Sequence, residues 1–124
     1  MEQVKTAIET FVKAGDDRDT AVLEHILHSR FQNIQDGFFD EDGIFIFSKE
    51  DYIELIRKNK FGGSPRSIDY HSMEQTGNIA IVQVELESPY LIFHSLIVCV
   101  YDNGYWKIIN NTPVISVKNL SVGK

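Results

Sequence analysis

The chain has 124 residues, 43% hydrophobic and 24% charged, with 12 Lys and Arg against 18 Asp and Glu for a formal charge of −6. That length fits one domain, 1–124, which buries roughly two thirds of the surface its unfolded chain exposes, so a core and an internal pocket can coexist. The charge balance argues against nucleic acid as a partner, because phosphate binding rests on clustered cations, and no apolar run approaches the roughly 20 residues of a membrane helix.

The opening Met1-Glu2-Gln3-Val4-Lys5 lacks the basic then apolar order of a signal peptide, which makes the cytoplasm the expected compartment. Val4, Ala7, Ile8, Phe11 and Val12 recur at helical spacing, so a first helix with one apolar stripe is expected to end near Ala14-Gly15. A second helix follows, capped by Asp16, Asp17 or Asp19, burying Val22, Leu23, Ile26 and Leu27, with His25 and His28 on its flank. Phe31 to Gln35 then reads as a short strand whose period of two sets Phe31, Asn33 and Gln35 on one face. Asp36 to Gly43 is an acidic turn and Ile44 to Phe47 a small apolar strand or ledge. Ser48 with Asp51 forms a capping-box variant that opens a third helix, in which Tyr52, Ile53, Leu55 and Ile56 pack inward. Phe61-Gly62-Gly63-Ser64-Pro65 stops it.

From Arg66 onward the period changes to two, through Ser67 to Gln75, a Thr76-Gly77-Asn78 turn, and Ile79 to Glu87. Ala80, Val82, Val84 and Leu86 alternate with Gln83, Glu85 and Glu87, the pattern of a half-buried antiparallel strand. Tyr90 to Tyr101 is a long apolar strand, Asp102-Asn103-Gly104 a tight turn, and Tyr105 to Asn110 the returning strand, because Asn-Gly takes positive φ at low cost. Helices early and strands late imply an α+β fold. The tail, 112–124, alternates Val114, Ser116 and Lys118 with Ile115 and Val117, so it either extends the sheet edge or reaches a partner subunit. Cys99, between Val98 and Val100, reads as a small buried hydrophobe.

On this layout the chain resembles the nuclear transport factor two-like superfamily, with its cystatin-like cone fold, and within it the putative lumazine-binding group. The likeness runs through Phe11-Val12, Asp19, Leu27-His28, Ser48-Lys49-Glu50-Asp51-Tyr52 and Gly104-Tyr105-Trp106-Lys107-Ile108. It implies three helices covering a strongly curved, mainly antiparallel sheet, a pocket at the open end of the cone, and a homodimer through the sheet. Ketosteroid isomerases of the superfamily use an Asp base with a Tyr and a protonated Asp as oxyanion donors. Those three positions fall here on Gln35, Phe11 and Ile97, so isomerase chemistry of that type is not expected. A one-residue slip to Asp36 points away from the Phe31 and Asn33 face.

Three functional classes remain. In the first, Phe11, Phe31, Asn33, Gln35 and Tyr52 line a pocket for a small organic molecule, with no cofactor; amides would donate and accept while aromatics stack, in a space of roughly 300 Å³ or more. The same aromatics could instead simply fill the cone. In the second, His94 or His71 transfers a proton in a lyase or isomerase, its imidazole oriented by Asp69 or Glu74, because imidazole titrates near neutral pH. In the third, the sheet face docks another protein. A metal is not expected: His25 and His28 supply two ligands where zinc takes three or four, and the acidic cluster Asp36, Asp40, Glu41, Asp42 lacks the spacing of a calcium loop.

Overall fold

The computed structural model describes residues 1–38 and 41–118. Its order is α1 (Glu2–Asp17), α2 (Thr20–Ile26), β1 (Leu27–Phe38), β2 (Glu41–Ser48), α3 (Lys49–Arg57), β3 (Ser67–Thr76), β4 (Ile79–Glu87), β5 (Leu91–Asp102) and β6 (Tyr105–Val117). The strands form one curved sheet in the order β2-β1-β6-β5-β4-β3, antiparallel except for the β1 and β6 pair, which is parallel. No helix among the described residues is long and apolar enough to cross a membrane.

The α1 stripe is the expected one, with Val4, Ala7, Ile8, Phe11 and Val12 all buried, but the helix runs on to Asp17. It stops because Arg18 turns left-handed at φ 53° and donates its backbone N–H to the Ala14 and Gly15 carbonyls. The Asp19 side chain accepts from the Val22 N–H and caps α2. Leu27 and His28, expected on that helix, begin β1 instead: Lys49 Nζ takes the Glu24 carbonyl at 2.8 Å and the Leu27 carbonyl at 3.0 Å, and so closes the helix end. Leu27 is buried in spite of the change.

The Ser48 capping box opens α3 as expected, burying Tyr52, Ile53 and Ile56. The loop after it folds back onto α1. Arg18 Nε and Nη2 each donate at 3.0 Å to the Phe61 and Gly62 carbonyls, and Gly63 N–H reaches the Asp16 carbonyl at 3.1 Å. Gly62, at φ +76°, lies so close to the Gly15 carbonyl that a Cβ would collide with it, which is why the chain has no side chain there.

Ala80, Val82, Val84 and Leu86 all face the core with at most 2% exposure, as their alternation requires. The β5-β6 hairpin turns through Asn103 at φ 53° and Gly104 at φ 96°. Thr112 to Val117 continue β6 and so extend the sheet, pairing with β5 throughout and with β1 as far as Val114. Residues 119–124 of the tail lie outside the described residues. Leu27, Ile97, Cys99 and Ile108 seal one end of the concave face, each with at most 2% exposure. Burial at that end pushes the Cys99 thiol up to about 12, so it is a packing group at neutral pH.

Candidate functional site

The other end of the concave face holds a cavity of about 230 Å³, bounded by β1, β5, β6, α3 and the loop that follows α3. Its floor is polar. Asn33 and Gln35 come from β1, Ser95 from β5 and Asn111 from β6, and all four side chains are buried. They form a single chain of hydrogen bonds: Ser95 Oγ donates to Asn111 Oδ1 at 2.6 Å, Asn111 Nδ2 to Asn33 Oδ1 at 2.7 Å, and Asn33 Nδ2 to Gln35 Oε1 at 2.6 Å. Gln35 Nε2 then donates to the Gly37 carbonyl at 2.9 Å.

That last bond fixes the direction of the whole chain. A backbone carbonyl can only accept, so Gln35 must present its NH₂ there, which leaves its oxygen for Asn33 and, by the same step, the Asn33 oxygen for Asn111. Each amide then spends one N–H and one lone pair within the chain and keeps another N–H and another lone pair. The floor can therefore donate and accept side by side toward anything lying on it. Bonds aligned in one direction also polarise one another, which stiffens the floor.

Asn111 reaches the floor through a bulge. β5 and β6 lose register between Val98 and Cys99, which pair with Asn110 and Ile108, so Ile109 is the extra residue. A strict period of two from Ile108 would bring Asn110, not Asn111, inward. In the structure Asn111 faces inward, and the Asn110 Oδ1 is buried without a hydrogen-bond partner among the described residues.

Above the floor the walls are mostly apolar and aromatic, and Phe38, Tyr52, Phe61 and Phe93 are among the side chains that line them. Tyr52 is buried, yet its hydroxyl makes no hydrogen bond to any described residue and opens on the cavity. Burial raises its pKa, with Asp16 adding to the rise and Arg66 opposing it, so the phenol keeps its proton. Arg66 also lines the cavity, held by Asp16: its Nε lies 2.6 Å from Asp16 Oδ1 and its backbone N–H 3.0 Å from Asp16 Oδ2.

Of the five pocket residues expected from sequence, Asn33, Gln35 and Tyr52 line this cavity. Phe11 and Phe31 stand behind Tyr52 in the core, with ring centroids 6.1 and 5.4 Å from its ring, and shape the wall without lining it. The volume falls short of the roughly 300 Å³ expected for such a pocket, so any occupant has to be small. Ser95, Asn111 and Arg66 are the residues that the sequence reading missed.

His94 and His71 stand elsewhere. His94 lies between Phe93 and Ser95 on β5 and so points to the opposite, outer face of the sheet, where it is exposed. It shares a shallow groove of about 340 Å³ with His71, Gln83 and Thr112. His94 Nδ1 is 3.5 Å from Glu85, and His71 Nε2 is 3.4 Å from Asp69 rather than Glu74. His25 stacks on Tyr105 at 4.5 Å, while His28 Nε2 meets Asp102 at 2.8 Å and its Nδ1 accepts the Arg30 N–H. The two are thus held apart by separate partners, and among the described residues no three His, Cys, Asp or Glu side chains are grouped to hold a metal ion. Glu41 and Asp42 of the acidic cluster are exposed at the start of β2, and Asp40 lies outside the described residues.

Three helices on a curved six-stranded sheet, with an amide-floored cavity at one end, define an α+β cone-fold protein of the NTF2-like kind. The chain belongs to the family described as putative lumazine-binding, whose profile matches residues 1–112. Among solved structures it is similar to an NTF2-like protein of unknown function from Silicibacter pomeroyi, with a TM-score of 0.78, 19% identity and 94% of each chain covered. An NTF2-like protein from Cytophaga hutchinsonii superposes with a TM-score of 0.72 at 20% identity, covering 90% of this chain and 93% of that one. A ketosteroid isomerase-like protein from Erwinia carotovora atroseptica does so at 0.71 and 11% identity, covering 92% and 94%. At these identities the likeness shows the fold alone. No curated protein matches the sequence.

Proposed function

We propose that this chain binds one small, planar, partly polar molecule on the amide floor of the cavity. The observation that carries the reading is the buried Ser95-Asn111-Asn33-Gln35 chain, because three amides on a core-facing surface are expensive unless their remaining donors and acceptors are used. A heterocycle with alternating N–H and C=O groups on one edge matches that pattern, and the aromatic walls would cover its faces. Lumazine, which the family description names, is a molecule of that kind and a suitable first probe. The floor and walls supply binding groups. Among the described residues no nucleophile is paired with a base in the cavity, which supports binding over turnover.

The test is native mass spectrometry of freshly purified protein, followed by denaturing release of any retained compound. A one-to-one small molecule that is lost in Asn33→Ala supports the reading. A ligand-free protein that also fails to bind added lumazine at millimolar concentration contradicts it. The same spectrum reads assembly. Ile79, Ile81 and Val114 expose 51%, 43% and 50% of their surface on the sheet, which supports the proposal that two copies pair there, and a monomeric mass at micromolar concentration would count against it.

A further inference from the structure

The ionised groups of the cavity wall are all of one sign. In a chain where acids outnumber bases 18 to 12, the cavity is lined by Arg66 and Lys60 and, among the described residues, by no Asp or Glu. Arg66 is well placed to act on a ligand. Of the five N–H donors of its guanidinium, Nε–H goes to Asp16 and one Nη2 proton goes to the Val12 carbonyl at 3.3 Å, which leaves three without a described partner. Its Cζ lies 5.1 Å from the Phe93 ring centroid, so the charged fork and an aromatic wall of the cavity adjoin.

The Tyr52 hydroxyl converges on the same place. Arg66 Nη2 and Tyr52 OH lie 3.2 and 3.9 Å from the point where a Gly15 Cβ would stand, and Gly15 itself is part of the cavity wall. The two donors thus border one stretch of the cavity wall, where a bound carboxylate can meet the guanidinium and the phenol. Asp16 offsets part of the Arg66 charge, but its carboxylate oxygens are engaged by the Arg66 Nε and backbone N–H, and it does not line the cavity. Lys60 leaves the local balance positive. The overall charge of −6 does not reverse this, since surface charges more than roughly 8 Å away are screened at physiological salt.

We infer that the ligand class of this cavity is a planar aromatic monoanion, with its carboxylate or ionised enol oxygen set against Arg66 and the Tyr52 hydroxyl, its ring beside Phe93, and Lys60 at the positive rim. The inference rests on the reading of the cavity as a small-molecule site and adds the charge of the occupant. The amide floor alone would take a neutral heterocycle equally well. The cationic corner is what discriminates.

The experiment compares 2-naphthoate with 2-naphthamide, two bicyclic probes of nearly the same shape that differ in charge, by calorimetric titration of the full chain at neutral pH. The naphthoate is expected to bind about tenfold more tightly, the usual gain of a charge-assisted over a neutral hydrogen bond. Its affinity is expected to fall several-fold in Tyr52→Phe, in Lys60→Gln, and between 0.05 and 0.5 M salt, while the naphthamide changes less than twofold with salt. Lys60 is exposed, so its substitution leaves the fold intact. Equal or tighter binding of the naphthamide overturns the anion inference and leaves small-molecule binding standing. Failure of both probes and of lumazine overturns the two together.

Discussion

At the sealed end of the concave face β1, β5 and β6 present Leu27, Cys99 and Ile108, while a few residues along the same strands they present Asn33, Ser95 and Asn111. Both sets are buried, and both lie on the inward side of one continuous sheet. Apolar side chains make up the first region, each at most 2% exposed. In the second, amides and a hydroxyl hold one another and leave space above them. A chain selected only for stability would carry the apolar pattern to both ends, because apolar burial contributes roughly 1.5–3 kcal/mol per large side chain and a cavity forgoes it. The departure from that pattern locates the part of the fold used for something other than folding.

The largest expected effect separates the two ends by truncation. Ile108→Ala should cost about 3 kcal/mol of unfolding free energy, measured by urea titration, with lumazine affinity changed less than twofold. Asn33→Ala should cost less, about 2 kcal/mol, since it orphans Asn111 Nδ2 and Gln35 Oε1 where cavity water can partly replace it, and should weaken lumazine binding at least tenfold. If Ile108→Ala abolished binding as thoroughly as Asn33→Ala, the two ends would be one functional unit and the comparison would fail.

A smaller effect comes from pH. The folded-state pKa of Tyr52 is raised, chiefly by burial, and that of Tyr70 is pushed up to about 12 by partial burial and by nearby Glu9. A raised pKa contributes stability that is fully present below the unfolded value near 10 and is lost as pH rises through the folded value. Cys99, raised by burial from an ordinary value near 9, adds to the same effect. Unfolding midpoints should therefore fall as pH rises above about 9, and Tyr52→Phe should flatten part of that fall while Cys99 and Tyr70 keep the remainder. The smallest effect belongs to the outer face. His94→Ala removes a ring that is mostly exposed, so stability should change by less than about 0.5 kcal/mol and lumazine affinity not at all. A tenfold loss would move the site to the histidine groove.

Much of this was legible in the sequence because it depends on local rules. Asn103-Gly104 specifies its turn, Ser48 and Asp51 specify a helix start, and the alternation from Ala80 to Leu86 specifies a buried face. Phe31, Asn33 and Gln35 share a face for the same reason, and two of them reached the cavity floor. What escaped depends on relations between strands. Asn111 faces inward only because of the bulge at Ile109, and nothing within β6 announces which residue is extra. Ser95 reads as an ordinary polar residue until Asn111 is placed beside it at 2.6 Å. Arg66 looked like the start of a strand, since its role comes from Asp16, fifty residues earlier and adjacent only after folding. Leu27 continued the helical stripe by spacing, but Lys49 closes α2 from the far side of β1 and β2.

The most direct measurement is a two-dimensional amide spectrum of the protein titrated with lumazine, following the side-chain NH₂ pairs of Asn33, Gln35 and Asn111 beside the ring signals of His71 and His94. The account predicts that the three amide pairs shift together and saturate with one binding constant while the histidine signals stay still. Saturable shifts at His71 and His94 with the three amides unmoved would contradict it.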